Sequence, residues 1–370
     1  PISENIKLEA GGKSSLVQTE SMIVQRDIVG DLELINLNNT DDFNYEESVV
    51  AGYLNLNTGG EKWEFNAGIR AEQTNVEGIS GMGNIRNKQD YLEWFPSASA
   101  SYDILEELKI YSNYSRKVDR PRYTELNPFQ FFLNDNTIVT GNPELQPIFT
   151  DKGNIGITFQ DNYTFEFYYQ NSKGKIFEIP FQDNTNNITT FTPVNLERTI
   201  EYGFDFLTYF DVMDNWGLTL ITSFYFTKDE GLIDSIEIEQ EKWANYSILE
   251  SNVSLLKDRS MSVSLSMIYS SPNLQGFQLV DKSQLYSDLS ISKTVLKGKG
   301  VLSLAVSDIF NKQDFYVRTN FLDQNSYIFS NLDNRYVRVG FRYKFGNTKL
   351  STNEKELSKD ERDRLEKRSN

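Results

Sequence analysis

The chain has 370 residues and a net charge of −16, and 13% of its residues are aromatic although only 38% are hydrophobic. It contains neither cysteine nor histidine, which excludes disulfides, thiolate or imidazole metal sites, and the Ser-His and Cys-His pairs of nucleophilic catalysis. No run approaches the roughly 20 apolar residues that a membrane-spanning helix needs. The composition argues against an enzyme, indicates no cofactor and disfavours nucleic acid as a partner.

Runs rich in β-branched and aromatic residues follow one another along the chain, and they predict about 14 strands. In chain order the runs cover residues 4–26, 43–57, 62–78, 91–104, 107–118, 149–160, 162–179, 189–211, 215–228, 236–256, 260–271, 277–296, 300–318 and 326–346. Very short polar joints alternate with long polar connections between these runs. The joints are residues 58–61, 105–107, 160–162, 213–215, 257–259 and 297–299. The long connections are residues 27–42, 74–90, 119–149, 180–198, 229–240, 271–280 and 319–326.

Several runs alternate between apolar and polar residues, which is typical of strands with one apolar face. The last run is the clearest, because its apolar residues Val339 and Phe341 alternate with cations. A cation on the lipid face would cost about 2 to 4 kcal/mol near the middle of a membrane, so these cations are expected to face water. The candidates for side chains that face an aqueous lumen are Arg70, Glu72, Arg338, Arg342 and Lys344.

Short turns at one rim and long loops at the other are typical of outer-membrane barrels. The sequence therefore predicts an all-β fold, an antiparallel transmembrane β-barrel over residues 1–346 with short periplasmic turns and long extracellular loops. A soluble β-sandwich, solenoid or propeller would also show alternation. Runs of about 10 to 20 residues exceed the five or six residues of an average soluble strand, which favours the barrel. Residues 347–370 are highly charged and are predicted to form a periplasmic tail, helical or disordered.

A set of short motifs carries a resemblance to a known family. The motifs are Phe43-Asn44-Tyr45-Glu46-Glu47, Gly68-Ile69-Arg70-Ala71-Glu72, Arg120-Pro121, Leu126-Asn127-Pro128-Phe129, Gly141-Asn142-Pro143, Ser307-Asp308-Ile309-Phe310-Asn311 and Tyr343-Lys344-Phe345-Gly346-Asn347. They occur in order over nearly the whole chain. With them the chain resembles the outer-membrane β-barrel proteins of Bacteroidota, which are similar to the C-terminal barrel of TonB-dependent receptors.

The resemblance implies a place in the bacterial outer membrane, in contact with lipid and lipopolysaccharide. It also implies partners that such receptors use: a plug domain, an energising periplasmic protein and, for polymer import, a surface lipoprotein. Receptors of this kind have barrels of about 22 strands, more than the runs found here. The chain is therefore expected to be the C-terminal portion of a longer receptor or a smaller barrel of the same family.

The connection between residues 120 and 147 combines hydrogen-bond donors with aromatic side chains, as sites for amphipathic ligands do. The candidate ligand-binding residues are Arg120, Arg122, Tyr123, Asn127, Phe129, Phe131 and Phe132. Two interpretations stay open for the phenylalanines. They form a platform that meets a ligand at the mouth of the lumen, or they pack inward or into the rim of the outer leaflet.

The sequence thus predicts a barrel that takes up a nutrient such as a siderophore, an oligosaccharide or a peptide. One alternative is a passive or structural outer-membrane barrel within an envelope complex, which has the same sequence features but no plug. A second alternative is a soluble, extracellular, β-rich adhesion module, which would be extracted without detergent.

Overall fold

The computed structural model describes residues 5–37, 40–81, 85–233 and 235–345. Strands dominate these residues, with one short helix at Tyr123–Leu126 and one 3-10 turn at Leu296–Gly298. In chain order the strands are β1 Ile6–Ile23, β2 Arg26–Val29, β3 Leu32–Ile35, β4 Asp41–Gly59, β5 Trp63–Ser80, β6 Ile85–Leu105, β7 Leu108–Asp119, β8 Phe131–Asn134, β9 Thr137–Val139, β10 Ile148–Phe159, β11 Tyr163–Lys173, β12 Ile176–Asp183, β13 Ile188–Asn195, β14 Arg198–Met213, β15 Trp216–Ile233, β16 Ile236–Leu255, β17 Met261–Ser270, β18 Asn273–Gln275, β19 Gln278–Val280, β20 Gln284–Val295, β21 Gly300–Val306, β22 Phe315–Phe321, β23 Gln324–Ser330 and β24 Val337–Tyr343.

Fourteen of these strands form a single antiparallel sheet. Their order is β1-β4-β5-β6-β7-β10-β11-β14-β15-β16-β17-β20-β21-β24, so each strand pairs with the next one along the chain that belongs to the sheet. This confirms the predicted all-β fold and the predicted number of about 14 strands. Among the described residues, no helix is long and apolar enough to cross a membrane. The predicted tail at 347–370 lies outside the described residues.

Five predicted runs are wrong as single strands, since each divides into a strand of the large sheet and a strand of a smaller one. The runs are 162–179, 189–211, 277–296, 300–318 and 326–346. In the first of them Gly174, at φ +72°, ends β11 before β12 begins. Strand propensity is the same whichever sheet a segment joins, so it does not show where one strand stops and the next begins.

Two predicted connections are also wrong. Residues 74–90 and 229–240 belong mostly to the hairpins β5–β6 and β15–β16, which extend well beyond the apolar part of the sheet. Asp229, expected in an outside loop, lies in β15 with its side chain fully buried. Polar residues occur on both faces of these extensions. The extensions therefore lack an apolar face, and their sequences were predicted as loops.

The two faces of the large sheet differ in chemistry. Phe165 and Phe167 point to one face, on which they pack against Phe204 at ring distances of 5.9 and 5.2 Å. Glu166 alternates with them and lies directly opposite Asp205 on the other face. We call these the apolar and the polar face. The same division continues to the last strand, where Val339 and Phe341 are 77% and 60% exposed on the apolar face.

Smaller sheets lie at the end of the large sheet where the long connections are. One has the order β12-β13-β9-β8, and another the order β18-β19-β22-β23. A buried apolar cluster joins the two sheets, and it contains Ile179, Leu196, Phe277 and Phe321. Connections that are far apart in the chain therefore form one packed layer, which we call the loop layer.

The ribbon of β7 and β10 leaves the large sheet before it ends. Pairing between β6 and β7 extends only to Ser97 and Ser115, whereas β7 and β10 remain paired as far as Asp119 and Ile148. Phe149, at the start of β10, stacks on Phe95 of β6 with the ring centroids 6.5 Å apart. The ribbon is thereby carried over the polar face of β6, and it brings the connection between β7 and β10 with it.

Candidate ligand-binding site

The connection between β7 and β10, which we call the 120–147 segment, is anchored to the polar face by Arg120. Its guanidinium is paired with Glu72 of β5, and Nη2 donates to Thr74 Oγ1 at 3.0 Å. Its Nε lies 3.9 Å from Glu47 of β4, which accepts a hydrogen bond from Tyr45. The side chains of Glu47 and Glu72 are only 4% and 5% exposed. We call this group of buried charges the Arg120 cluster.

Apolar packing holds the rest of the 120–147 segment on the same face. Tyr123, Leu126, Phe129 and Leu145 are buried in a cluster with Phe43, Tyr45 and Val76 of β4 and β5. The rings of Tyr45 and Tyr123 meet edge to face at 4.9 Å. Burying side chains of this size contributes about 1.5 to 3 kcal/mol each, so the packing fixes the course of the segment.

A tight fold-back shapes the middle of the segment. The side-chain oxygen of Asn127 accepts from the backbone N–H of Phe129 at 3.0 Å, and the N–H of Gly141 donates to the Asn127 carbonyl at 3.0 Å. A Cβ atom on Gly141 would lie 2.6 Å from the carbonyl oxygen of Glu125, and closer still to that of Asn127. Position 141 therefore needs glycine, because the backbone at this position passes very close to the backbone of residues 125–127.

A cavity of about 350 Å³ lies between the 120–147 segment and the β12–β13 hairpin. Its apolar lining consists of Phe131, Val139, Ile176, Phe177 and Pro193. We call it the loop cavity. The size falls at the lower end of the roughly 300 to 1,000 Å³ found for small-molecule sites, and the mixture of apolar walls with a few polar groups is also typical of them.

The polar lining of the loop cavity is dominated by three charges. Arg122 Nε donates to Glu125 Oε1 at 2.9 Å, and the backbone N–H of Arg122 donates to Oε2 of the same carboxylate at 2.8 Å. The hydrogen-bonded Glu125 carboxylate raises the pKa of Arg122 above its usual value, and Glu178 across the cavity acts in the same direction. One cation therefore lies between two carboxylates.

The structure separates the predicted ligand-binding residues into three groups. Arg122 and Phe131 line the loop cavity. Phe132 is 48% exposed and is not part of the lining. The remaining predicted residues hold the segment in place: Arg120 in the buried cluster, Tyr123 and Phe129 in the apolar cluster, and Asn127 in the fold-back.

The predicted lumen-facing residues lie in three places. Arg70 is 3.5 Å from Glu72, next to the Arg120 cluster on the polar face. Arg338 and Arg342 pair with Ala305 and Val301, on the face opposite Val339 and Phe341. Lys344 follows β24, and its backbone N–H donates to the carbonyl of Lys299 in a short turn. Among the described residues, no three acidic side chains come together as a group that could hold a metal ion.

Sequence reasoning missed the second wall of the loop cavity, which β12 and β13 supply. Ile176, Phe177 and Glu178 were assigned to one long barrel strand, and Pro193 to another. A signal was present, because proline removes a ladder donor and is confined to edges and bulges in sheets. Pro193 within the run 189–211, and Pro180 directly after the run 162–179, indicated strands outside the central sheet.

A long antiparallel sheet with an exposed apolar face, short turns at one end and a packed loop layer at the other defines the class of outer-membrane β-barrels. Comparison with known proteins identifies the family. The sequence profile of the Outer membrane protein beta-barrel family matches residues 1–343, and the chain belongs to that family. The protein is accordingly located in the bacterial outer membrane.

Solved structures with the same fold are outer-membrane receptors and transporters. They include the copper transporter OprC (TM-score 0.64, 11% identity, 93% of this chain and 55% of that one). The ferric yersiniabactin uptake receptor FyuA from Yersinia pestis is similar as well (TM-score 0.61, 11% identity, 93% and 52%). A third is the ferric-catecholate import receptor Fiu from E. coli K12 (TM-score 0.62, 12% identity, 92% and 52%). The chain thus spans about half the length of these structures. No functionally curated protein matches the sequence significantly.

Proposed function

We propose that this chain is the barrel portion of a TonB-dependent uptake receptor, which captures a nutrient of the siderophore, oligosaccharide or peptide class at its extracellular loops. The observation that carries the proposal is the loop cavity. It lies in the loop layer at the end of the long connections, which is the extracellular end in barrels of this class, and above the polar face that would line the lumen.

The edges of the sheet support a larger assembly. In the described pairings β1 and β24 are the two edge strands, and they differ in length, with 18 and 7 residues. Unpaired backbone groups cost several kcal/mol each in hydrocarbon, so both edges need a strand partner in the membrane. Pairing β1 with β24 alone would leave much of β1 open. Further strands of a longer receptor would cover both edges.

A plug domain and an energising periplasmic protein are the partners that this assignment requires, and a surface lipoprotein is the partner expected for a polymer substrate. The lumen would then be faced by Arg70, Glu72, Arg338 and Arg342. Water or polar groups of a plug domain can form hydrogen bonds with these side chains there. Arg120 would hold the 120–147 segment inside the mouth of the barrel, so that Arg122 and Phe131 meet the ligand.

The experiment compares two neighbouring phenylalanines on β8. In a strain that lacks the gene, the wild type, Phe131→Ala and Phe132→Ala are expressed in the full-length protein, and growth is followed on sole sources of iron, carbon or nitrogen. Phe131 lines the loop cavity, whereas Phe132 does not. We expect Phe131→Ala to lose growth on the nutrient that the wild type restores, and Phe132→Ala to retain it.

Equal amounts of heat-modifiable barrel on gels show that both variants are inserted. If the wild type restores growth on no nutrient, the uptake assignment is wrong and a passive or structural barrel takes its place. If both variants restore growth equally, the loop cavity is not the capture site.

A further inference from the structure

The loop cavity has an unequal charge balance. Its cation, Arg122, is already engaged by Glu125 through the side-chain Nε and the backbone N–H. Glu178 is exposed, and among the described residues no lysine or arginine nitrogen lies within the 4.0 Å of an ion pair with its carboxylate. A ligand entering the cavity therefore meets an excess carboxylate beside an apolar wall.

The polar face below the cavity continues the same charge. Glu166 on β11 lies directly opposite Asp205 on β14, and Glu201 lies four residues from Asp205 along β14, on the same face and closer to the loop layer. We call Glu166, Glu201 and Asp205 the carboxylate wall. Like charges that face each other directly destabilise a sheet, so a cation placed beside Glu166 and Asp205 would relieve their repulsion.

Only some of the carboxylate oxygens in the carboxylate wall accept a hydrogen bond. Tyr111 donates to Glu166 at 2.8 Å, and Tyr168 donates to Glu201 at 3.1 Å. The Oδ1 atom of Asp205 is enclosed, and no donor of the described residues reaches it. An enclosed acceptor without a donor is costly, and it is the kind of group that a cationic N–H of a ligand would satisfy.

Cations on the same face do not neutralise this charge. Lys152 and Lys242 lie in the same row of the sheet as Glu201, each two strands away from it. At about 4.8 Å between strands this separation is about 10 Å, too far for an ion pair. The wall thus holds three carboxylates, and none of them forms an ion pair with a cation among the described residues.

The strands that carry the carboxylate wall are continuous in sequence with the strands that line the loop cavity. Glu178 belongs to β12, which directly follows β11, and Pro193 belongs to β13, which directly precedes β14. The two strands that carry the carboxylate wall therefore lead to the two strands that form one side of the loop cavity. A ligand released from the cavity toward the lumen would pass along Glu201 before it reached Glu166 and Asp205.

We propose that the loop cavity selects a cationic amphipathic ligand, such as a short basic peptide or an amine that carries an apolar group, and that the carboxylate wall guides it into the lumen. The proposal rests on the proposed uptake function and assigns its substrate class. The apolar group packs against Phe131, Ile176 and Phe177, and the ammonium or guanidinium group lies beside Glu178. An anionic ligand of the same size meets repulsion at both places.

The test uses three acetylated and amidated tripeptides, Lys-Phe-Lys, Gln-Phe-Gln and Glu-Phe-Glu, which differ in charge but share length and aromatic group. Calorimetric titration of the full-length protein in detergent measures their dissociation constants at low and high salt. We expect Lys-Phe-Lys to bind tightest, at least about five-fold tighter than Glu-Phe-Glu at low salt, and the difference to shrink as salt is added.

Two variants test whether the preference for the cationic peptide depends on the loop cavity. Glu178→Gln should remove most of it, whereas Glu197→Gln, an exposed carboxylate between β13 and β14 that does not line the cavity, should leave it unchanged. Equal or tighter binding of Glu-Phe-Glu, no binding of any of the three, or an unchanged preference in Glu178→Gln would overturn the proposal. The growth test with Phe131→Ala is independent of charge, so a growth defect there, combined with equal peptide binding, would leave the receptor function standing and remove only the substrate class.

Discussion

The Arg120 cluster predicts that a single substitution will loosen the 120–147 segment and leave the sheet intact. In Arg120→Met the side chain keeps its length but loses its charge, so Glu47 and Glu72 remain buried without their main cation. Breaking a buried ion pair by removing one partner costs about 3 to 5 kcal/mol. Here we expect about 3 kcal/mol, the lower end, because Arg70 still lies 3.5 Å from Glu72.

The loss should appear as local opening, because the cluster connects the segment to β4 and β5 but contributes nothing to the pairing of the strands with one another. A cost of about 3 kcal/mol corresponds to an increase of about 100-fold in the population of the open segment. Hydrogen exchange followed by mass spectrometry on the protein in detergent reports this directly, on peptides that cover residues 123–147 and on peptides from β15–β16 as an internal reference.

A matched control is Arg122→Met, two residues away. The Arg122 side chain is 55% exposed, and exposed ion pairs contribute at most about 1 kcal/mol. Exchange in the segment should therefore change little in this variant. The reasoning is refuted if Arg120→Met and Arg122→Met behave alike, or if Arg120→Met accelerates exchange in β15–β16 as much as in the segment.

Three further predictions concern other parts of the molecule. Leu265→Arg should impair membrane insertion by about 2 to 4 kcal/mol, whereas Ser264→Arg on the polar face of the same strand should not, as measured by the yield of heat-modifiable barrel. Gly141→Ala should destabilise the fold-back by about 1 to 3 kcal/mol, because the new methyl group meets two carbonyl oxygens, and limited proteolysis should then cut within the segment. Hydrogen bonds from the side chain and backbone of Asn186 hold the pKa of Asp183 below its usual value, so this stabilisation is present above the ordinary pKa of aspartate and is lost as the pH falls through the lowered value. The protection of the Asn186 amide, measured as its exchange rate relative to the intrinsic rate at the same pH, should fall on acidification in the wild type but not in Asp183→Asn.

The sheet was predictable because its signal is local. Alternation along one strand, as in Ser262 to Tyr269, is set by neighbours two residues apart, and short joints such as Glu106-Glu107 show where hairpins turn. The parity of Arg338 and Arg342 relative to Phe341 follows from the same rule. None of these inferences requires knowing which distant segment a strand meets.

The site was predictable only in part, because it depends on contacts that are remote in the chain. Arg120 and Glu72 are 48 residues apart, and the two walls of the loop cavity come from β8–β9 and β12–β13, which join through a parallel pairing of Thr189 with Thr137. Composition identified Arg122 and Phe131 as ligand-binding candidates. It could not distinguish them from Phe129, which has the same chemistry but is buried against β4 and β5.

The central claim is that the loop layer, with its cavity, lies outside the cell and the short turns lie in the periplasm. Because the chain has no cysteine, single cysteines report their own position. Asn186→Cys lies at the tip of the β12–β13 hairpin, and Glu106→Cys lies in the short turn between β6 and β7. A membrane-impermeant maleimide applied to intact cells should label Asn186→Cys at once and Glu106→Cys only after the outer membrane is opened. Labelling of Glu106→Cys on intact cells while Asn186→Cys stays protected would contradict the account.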